Sequence, residues 1–482
     1  MTEGQDILAK YEKGTYEGEF PTISAEDWEL LKESFPKDDV KEMLAELFMQ
    51  YPIPYADITE EDAYNDYLKL KGIRWNEYLK EGEWFPRKAA ETRYPLTYEG
   101  KQLYFSRLNT GNSASNFFQQ HNRWSVDGSV SPGPKRTWET KAFMTSLMGA
   151  AYSLKMEQVG KKELRTMIGL RKYICSQFKP NVAKMFYEYL NAETVLDFSM
   201  GWGDRLAGAF SSETVKHYVG LDPRKENHPF YTKQRDFYTK HTTFFESPTK
   251  TDFYQSPAED FDYSEWNEYF DLVFTSPPYF SVERYSHDDT QSWVRYKNID
   301  VWNKHFLHTT LGKIIPTVKK GGLIAINIAD VYAGNKGGKD WLEITNPMGD
   351  FLTSQGLTYK GCIGMEMAKR PNSGGAGTAK DDGQYSEESL KLAEENNIFT
   401  IGIVNTVDSM IARETNCGCY INAGREISVA STKSFTNQVI VLSMVAIWFS
   451  QIHSINVNKR QKYIKYYILV FQLLEKKHLL KL

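Results

Sequence analysis

Val195-Leu196-Asp197-Phe198-Ser199-Met200-Gly201-Trp202-Gly203-Asp204-Arg205-Leu206-Ala207 reads as an apolar strand that breaks into a Gly-x-Gly turn and continues as a helix. Glycines at such a turn let the backbone approach a ligand closely. The pattern departs from the dinucleotide motif Gly-x-Gly-x-x-Gly: the acid Asp197 precedes the turn, and Leu206 stands at the third glycine position. Downstream, His217-Tyr218-Val219-Gly220-Leu221-Asp222-Pro223 reads as a second strand ending in a carboxylate, where an α/β sheet meets ribose hydroxyls. Asp222 reads alternatively as a helix N-cap. A later strand, Asp271-Leu272-Val273, runs into Phe274-Thr275-Ser276-Pro277-Pro278-Tyr279. Consecutive prolines fix φ and lack N–H donors, so neighbouring carbonyls stay free, while Ser276 adds an oxygen and Tyr279 a face for stacking. An exocyclic amino group needs such a corner: acceptors for its protons, a wall for its plane, and a lone pair free to attack. Alone, the corner also reads as an ordinary strand-ending turn.

Taken in order, Asp-x-x-x-Gly-x-Gly, strand-Asp-Pro and strand-Thr-Ser-Pro-Pro-Tyr resemble the S-adenosylmethionine-dependent amino methyltransferases, in the branch that modifies cytosine or adenine of DNA. The resemblance covers about residues 165 to 375 and implies a Rossmann-like, doubly wound α/β sheet with S-adenosyl-L-methionine as cofactor. It further implies that Asp197, Gly201 and Gly203 cradle the methionine part, that Asp222 holds the ribose hydroxyls, and that Ser276, Pro277, Pro278 and Tyr279 hold the target amine as the catalytic set. Phe178-Lys179-Pro180-Asn181-Val182-Ala183 is similar to the family's helix over the methionine end. Ser256 to Phe261 is similar to the third-strand segment whose acid meets the adenine, with Asp260 assigned and Glu259 and Asp262 competing for the role. A sulfonium methyl is already activated, so alignment and exclusion of water are the main requirements.

Behind the corner, residues 280–292 are polar and aromatic and read as a loop before a helix through Lys313. Gly321 to Ile328 is expected as a buried strand introduced by a glycine turn, and Leu357 to Met365 as the strand after it. The family's closing antiparallel strand has no recognisable counterpart. Instead Leu390 to Asn397 reads as a helix and Phe399 to Asn405 as a strand. The stretch Tyr420-Ile421-Asn422-Ala423-Gly424-Arg425-Glu426-Ile427-Ser428-Val429-Ala430-Ser431-Thr432-Lys433 resembles the sugar-isomerase (SIS) domain of glutamine–fructose-6-phosphate aminotransferase, over about residues 388 to 464. That resemblance implies a sugar-phosphate contact at Val429 and Ser431. Lys380-Asp381-Asp382-Gly383-Gln384 stands where the family's phosphate loop belongs, and the chain begins Met1-Thr2 without the glutamine-hydrolysing cysteine. The fragment is therefore expected to lack isomerase and aminotransferase turnover. The two resemblances meet near residues 378 to 388, each cut short, which points to a recombined or misassembled reading frame.

Residues 1–160 carry no nameable motif. Acids outnumber bases by about two to one in the first hundred residues, and Trp28, Leu30, Leu31, Phe35, Met43, Leu44 and Leu47 fall at helical spacing as core. Between residues 105 and 141, Arg107, Arg123, Lys135, Arg136 and Lys141 alternate with Phe117, Phe118 and Trp124, a composition shared by nucleic-acid-facing loops and ordinary surfaces. With 482 residues, 41% hydrophobic and net charge −4, the chain holds two or three cores and is no basic DNA-coating protein. Cys175, Cys362, Cys417 and Cys419 lack zinc spacing, so no metal is expected. Val439 to Phe449 is too short to span a bilayer, and no signal peptide is read at the start, so a cytoplasmic protein is expected. The expected organisation is an N-terminal region (1–160), a methyltransferase core (161–378) and a partial SIS domain (385–482). Three functions stay open: DNA amino methylation, with DNA ahead of RNA as partner; sugar-phosphate binding by the C-terminal fragment; and non-catalytic nucleic-acid binding.

Overall fold

Alternation of period two sorts the central strands into two faces. Val195 of β1 (Thr194–Asp197), Tyr218 of β2 (His217–Leu221) and Leu272 of β4 (Phe270–Thr275) share one core with α7 (Pro180–Tyr189), α8 (Asp204–Ser211) and α9 (His228–Lys240). Their neighbours Leu196, Val219 and Val273 face the opposite layer, with Leu311 and Ile314 of the helix Thr309–Ile314. Both faces are covered, as a parallel sheet requires. With β3 (Lys250–Tyr254) and β5 (Val318–Ile326), these strands form a five-stranded sheet in the order β3-β2-β1-β4-β5, every pair parallel. The chain is thus mixed α/β with a parallel sheet, and strand order reverses between β1 and β4, where such sheets open a crevice at their carboxyl ends. The computed structural model describes residues 3–84, 92–129, 131–241, 249–332, 341–366, 401–404 and 417–420.

Several expected elements shift. β5 begins at Val318 rather than at the glycine turn and is only half-buried. Gly321 (φ +82°) lies inside it, and the pairing register slips between Phe270 and Leu272, as a bulge does. Ile363–Met365 does not extend the five-stranded sheet. It pairs in parallel with Leu103–Phe105, which also pairs with Leu79–Glu81. Among the described residues β5 is therefore an edge. The helix expected through Lys313 is broken into Ser292–Arg295, Ile299–Trp302, a π turn at Asn303–His308 and Thr309–Ile314.

In the N-terminal region α1 (Ala25–Ser34), α2 (Lys37–Met49), α5 (Lys141–Ser153) and α6 (Lys161–Arg171) enclose a core of their own around Trp28, Leu31, Leu44, Leu47, Met144 and Leu164. Leu30, expected there, is 45% exposed, because it lies on the outer face of α1. By contrast α3 (Glu60–Lys71) and α4 (Asn112–Trp124) pack on the sheet's helices through Tyr67, Leu70, Ala114 and Phe118. The basic stretch 105–141 is accordingly no open loop. Much of it is α4, Trp124 is buried, and Arg136 and Lys141 pair with Asp127 (3.3 Å) and Glu46 (2.6 Å).

Met1–Ala368 form one compact unit and Lys369–Leu482 a second. In the second, Ile401–Val404, within the expected strand Phe399 to Asn405, pairs in parallel with Cys417–Tyr420. The expected helix Leu390 to Asn397, the apolar stretch Val439 to Phe449, and Val429 and Ser431 lie outside the described residues. Among the described residues no three His, Cys, Asp or Glu side chains group as metal ligands, and no helix is long and apolar enough to cross a membrane.

Candidate functional site

The crevice between β1 and β4 brings the glycine turn and the Ser-Pro-Pro-Tyr corner together. β1 ends at Asp197, which is fully buried. Arg205 of α8 clamps it with Nε to Oδ2 at 2.7 Å and Nη2 to Oδ1 at 3.1 Å. Tyr218 Oη donates to Oδ2 (2.6 Å), Thr275 Oγ1 to Oδ1 (2.8 Å), and the Ser199 N–H to Oδ1 (3.3 Å). Burial works against the Arg205 charge, but the Asp197 carboxylate outweighs it and holds the guanidinium above its ordinary range. Asp197 therefore organises the turn from beneath, and its oxygens are fully engaged by the protein.

The turn itself needs its glycines. Gly201 (φ +56°) and Gly203 (φ +72°) are left-handed, and a Cβ on Gly203 would lie 2.4 Å from Gln234 Oε1. The Gly201 N–H donates to Asp222 Oδ2 (2.9 Å), while its carbonyl accepts from Asn227 Nδ2 (3.0 Å) and Tyr231 Oη. Asp222, at the end of β2, also accepts the Arg224 N–H on Oδ1 (2.9 Å). Burial raises its pKa, opposed by those two N–H bonds. Asp222 and the turn thus hold each other. Arg224 carries the connection outward, donating to Asn122 O (3.1 Å) and Ser125 Oγ (2.7 Å) at the end of α4 and lying over the Trp202 ring at 5.4 Å.

Across the crevice, β4 delivers Thr275 and then the corner. Pro277 is buried, whereas Ser276, Pro278 and Tyr279 are half-buried. The sequence reading missed the residue that locks this corner. Asn327, just past β5, donates through Nδ2 to Ser276 Oγ (3.0 Å) and Tyr279 Oη (3.1 Å), accepts Tyr279 Oη on its carbonyl (3.3 Å), and donates its N–H to Thr275 O (2.9 Å). The one available signal was a polar side chain interrupting Leu323 to Ile328. Burial lifts the Tyr279 hydroxyl pKa, so the ring stays neutral. Phe280, next in the chain, takes φ +52° with its ring buried near Trp302; such strain persists where the surroundings fix it.

Beyond β3, Ser256 to Phe261 forms a turn after the strand rather than part of it. Its acids differ in setting. Glu259 is buried, accepts from Arg295 Nη1 (3.0 Å) and Tyr296 Oη (3.3 Å), and has its pKa raised by burial. Asp260, the acid assigned from the sequence, is half-exposed and paired with Arg295 at 2.7 Å, and Asp262 caps the Ser264 N–H at 3.0 Å. The loop behind the corner is tied back by Glu283. That carboxylate accepts from Tyr173, from the N–H (3.1 Å) and Oγ (3.0 Å) of Ser176, and from Tyr285, and Glu283–Arg284 pair with Asp127–Gly128. Further along, Arg284 and Lys297 lie over the Trp293 ring at 5.2 and 4.8 Å.

Chemically, the crevice offers backbone turns and a buried acid on one side and a flat, acceptor-bearing corner on the other, joined through Thr275 and Asp197.

Comparison with known proteins bears chiefly on the second unit. The SIS domain family matches residues 384–448. Isomerizing glutamine–fructose-6-phosphate aminotransferase 1 of Arabidopsis thaliana is 54% identical over 59 residues, 12% of this chain and 9% of that protein. The Mus musculus isomerizing glutamine–fructose-6-phosphate aminotransferase 2 is 46% identical over 77 residues, 16% of this chain and 11% of that protein. A crystal structure assigned as an S-adenosylmethionine dependent methyltransferase from Listeria monocytogenes aligns with 28% of this chain and 46% of that one, at 18% identity and a TM-score of 0.17. That superposition is too loose to bear on the fold. The C-terminal stretch therefore resembles an SIS domain, and the chain spans about a tenth of the length of the curated relatives it matches.

Proposed function

We propose that this chain transfers a methyl group from S-adenosylmethionine to an exocyclic amino group of a DNA base, cytosine or adenine. The observation that carries the reading is the 2.8 Å bond from Thr275 Oγ1 to Asp197 Oδ1. It fastens the glycine turn to the Ser-Pro-Pro-Tyr corner at the reversal of strand order, where parallel sheets bind ligands. In this reading Gly201, Gly203 and Asp222 hold the cofactor, which supplies an activated methyl group. Of the acids after β3, Asp260 would meet its base, with Glu259 and Asp262 as the competing candidates. Ser276 and the carbonyls around Pro277 and Pro278 hold the amine, and Tyr279 stacks on its ring. Transfer forms a nitrogen–carbon bond, breaks a sulfur–carbon bond and sends one amine proton to solvent. Asn327 keeps the corner rigid while this happens. Trp293 with its two cations suits a polynucleotide strand, for which aromatic stacking and positive charge are the usual means. The test is incorporation of labelled methyl from S-adenosylmethionine into DNA, with RNA as the control. Label in DNA that disappears in Asn327→Ala supports the proposal, and no label in either polymer sinks it.

The SIS match favours a second reading for residues 384–448, binding of a sugar phosphate. Titration with fructose-6-phosphate decides it, since heat of binding is expected only if the fragment retains a phosphate site.

A further inference from the structure

Asp204 is a buried carboxylate one residue beyond the glycine turn that the sheet does not use. It is 2% exposed. Ser115 Oγ and Gln177 Nε2 (2.9 Å) both donate to Oδ1, and no described residue bonds Oδ2. Nearby acceptors are left unpaired as well. Asn112 Oδ1 and Asn181 Oδ1 are buried with no partner among the described residues, although Gln177 Nε2 reaches Asn112 O (3.2 Å) and Asn181 Nδ2 reaches Thr110 O (2.7 Å). Lys179, half-buried beside them with Nζ on Asn109 Oδ1 at 2.9 Å, lies close enough to feel the Asp204 charge.

Arg123, whose charge reaches Asp204, donates to Cys175 O (2.9 Å) instead, and a carboxylate with an unused oxygen beside unpaired acceptors is matched by a ligand group that brings N–H donors and positive charge. An ammonium has both, and a nearby lysine matches the carboxylate of the same amino acid. Asp197 cannot serve, because five donors already converge on its two oxygens. We propose that Asp204, rather than Asp197, receives the α-ammonium of the cofactor's methionyl end, with Lys179 facing its α-carboxylate. The inference rests on the methyltransferase reading. It also gives α4 and the segment 177–181 a task, since they hold the acid in place.

The test is calorimetric titration of the full chain with S-adenosylhomocysteine and with its analogue lacking the α-amino group, in wild type and Asp204→Asn. Asparagine keeps the Oδ1 acceptor for Ser115 and Gln177, so folding is preserved. Loss of the amino group is expected to weaken wild-type binding about tenfold or more, as for a charged hydrogen bond. Asp204→Asn should weaken S-adenosylhomocysteine similarly and leave the deaminated analogue unchanged, so that the two deletions are not additive. Equal binding of both ligands by wild type overturns the proposal and leaves the methyltransferase reading standing, even if the variant fails to fold. Equal weakening of both ligands by the variant overturns it too, because that marks a structural role. A wild-type protein that binds neither S-adenosylmethionine nor S-adenosylhomocysteine removes the reading and the inference together.

Discussion

Asp197 and Arg205 show how a motif residue can be committed to the protein's own interior. Both are almost wholly buried and fork-paired, so removing the acid leaves a guanidinium without countercharge. Asp197→Asn is expected to cost about 3–5 kcal/mol in chemical denaturation. A loss of cofactor binding there would therefore say little about contact. Asn327→Ala is milder: it should cost about 1–2 kcal/mol, abolish methyl incorporation, and leave S-adenosylmethionine affinity intact by titration. His217 makes the case for pH. Its ring bridges Tyr269 Oη and Asp252 Oδ2, each at 2.7 Å, yet burial outweighs the acid's attraction and lowers its pKa below 6.5. The unfolded chain then binds a proton that the fold resists, so this contribution is complete above pH 6.5 and lost as pH falls through the lower, folded value. Thermal melts at decreasing pH should show that loss, and His217→Gln should remove it. Single residues were legible where they end a strand, as Asp197, Asp222 and Ser276 do. Arg205, Tyr218 and Asn327 were not, because their roles come from contacts between elements that spacing alone does not reveal.

Helices α7 and α8 cross so closely that a Cβ on Gly208 would sit 2.6 Å from the Ala183 Cβ and 2.9 Å from Pro180 O. Gly208→Ala is therefore expected to lower stability by about 1–3 kcal/mol, read in a urea titration, although alanine is the better helix former. An unchanged midpoint would show that the crossing yields easily. Strands β1, β2 and β4 could be read from the sequence because each is an apolar run ending at a polar or glycine signal. β5 was misplaced, since the glycine pair that looked like a turn is a bulge within the strand. The helix through Lys313 broke into pieces for a related reason. Trp302, Phe306 and Leu311 all face the core, and a π turn lets them do so where a straight 3.6-residue repeat does not.

At the level of the whole chain, the helical N-terminal region is no separate ornament. α3 and α4 share the sheet's core, and Tyr67 donates to Phe210 O at 2.9 Å, so deleting residues 1–160 is expected to abolish soluble expression of the rest. A chain ending at Ala368 is expected to melt in one cooperative calorimetric transition, because Met1–Ala368 form one compact unit. Composition could bound the number of cores. It could not show which N-terminal helices belong to which core, since an amphipathic face does not name its partner.

Synthesis on the ribosome gives one of these contacts a timetable. Leu103–Phe105 has its early partner, Leu79–Glu81, almost at once, but its parallel partner is Ile363–Met365. At usual translation rates of about 5–20 residues per second, the interval between the two strands lasts roughly 13–50 seconds. For that time a three-residue strand stands with one open edge while the rest of the sheet emerges, and its shortness limits what else can pair with it. Completion of this small sheet can come only near the end of the first unit's emergence. A slow last folding step, lengthened by slowing translation between residues 105 and 363, is its kinetic signature.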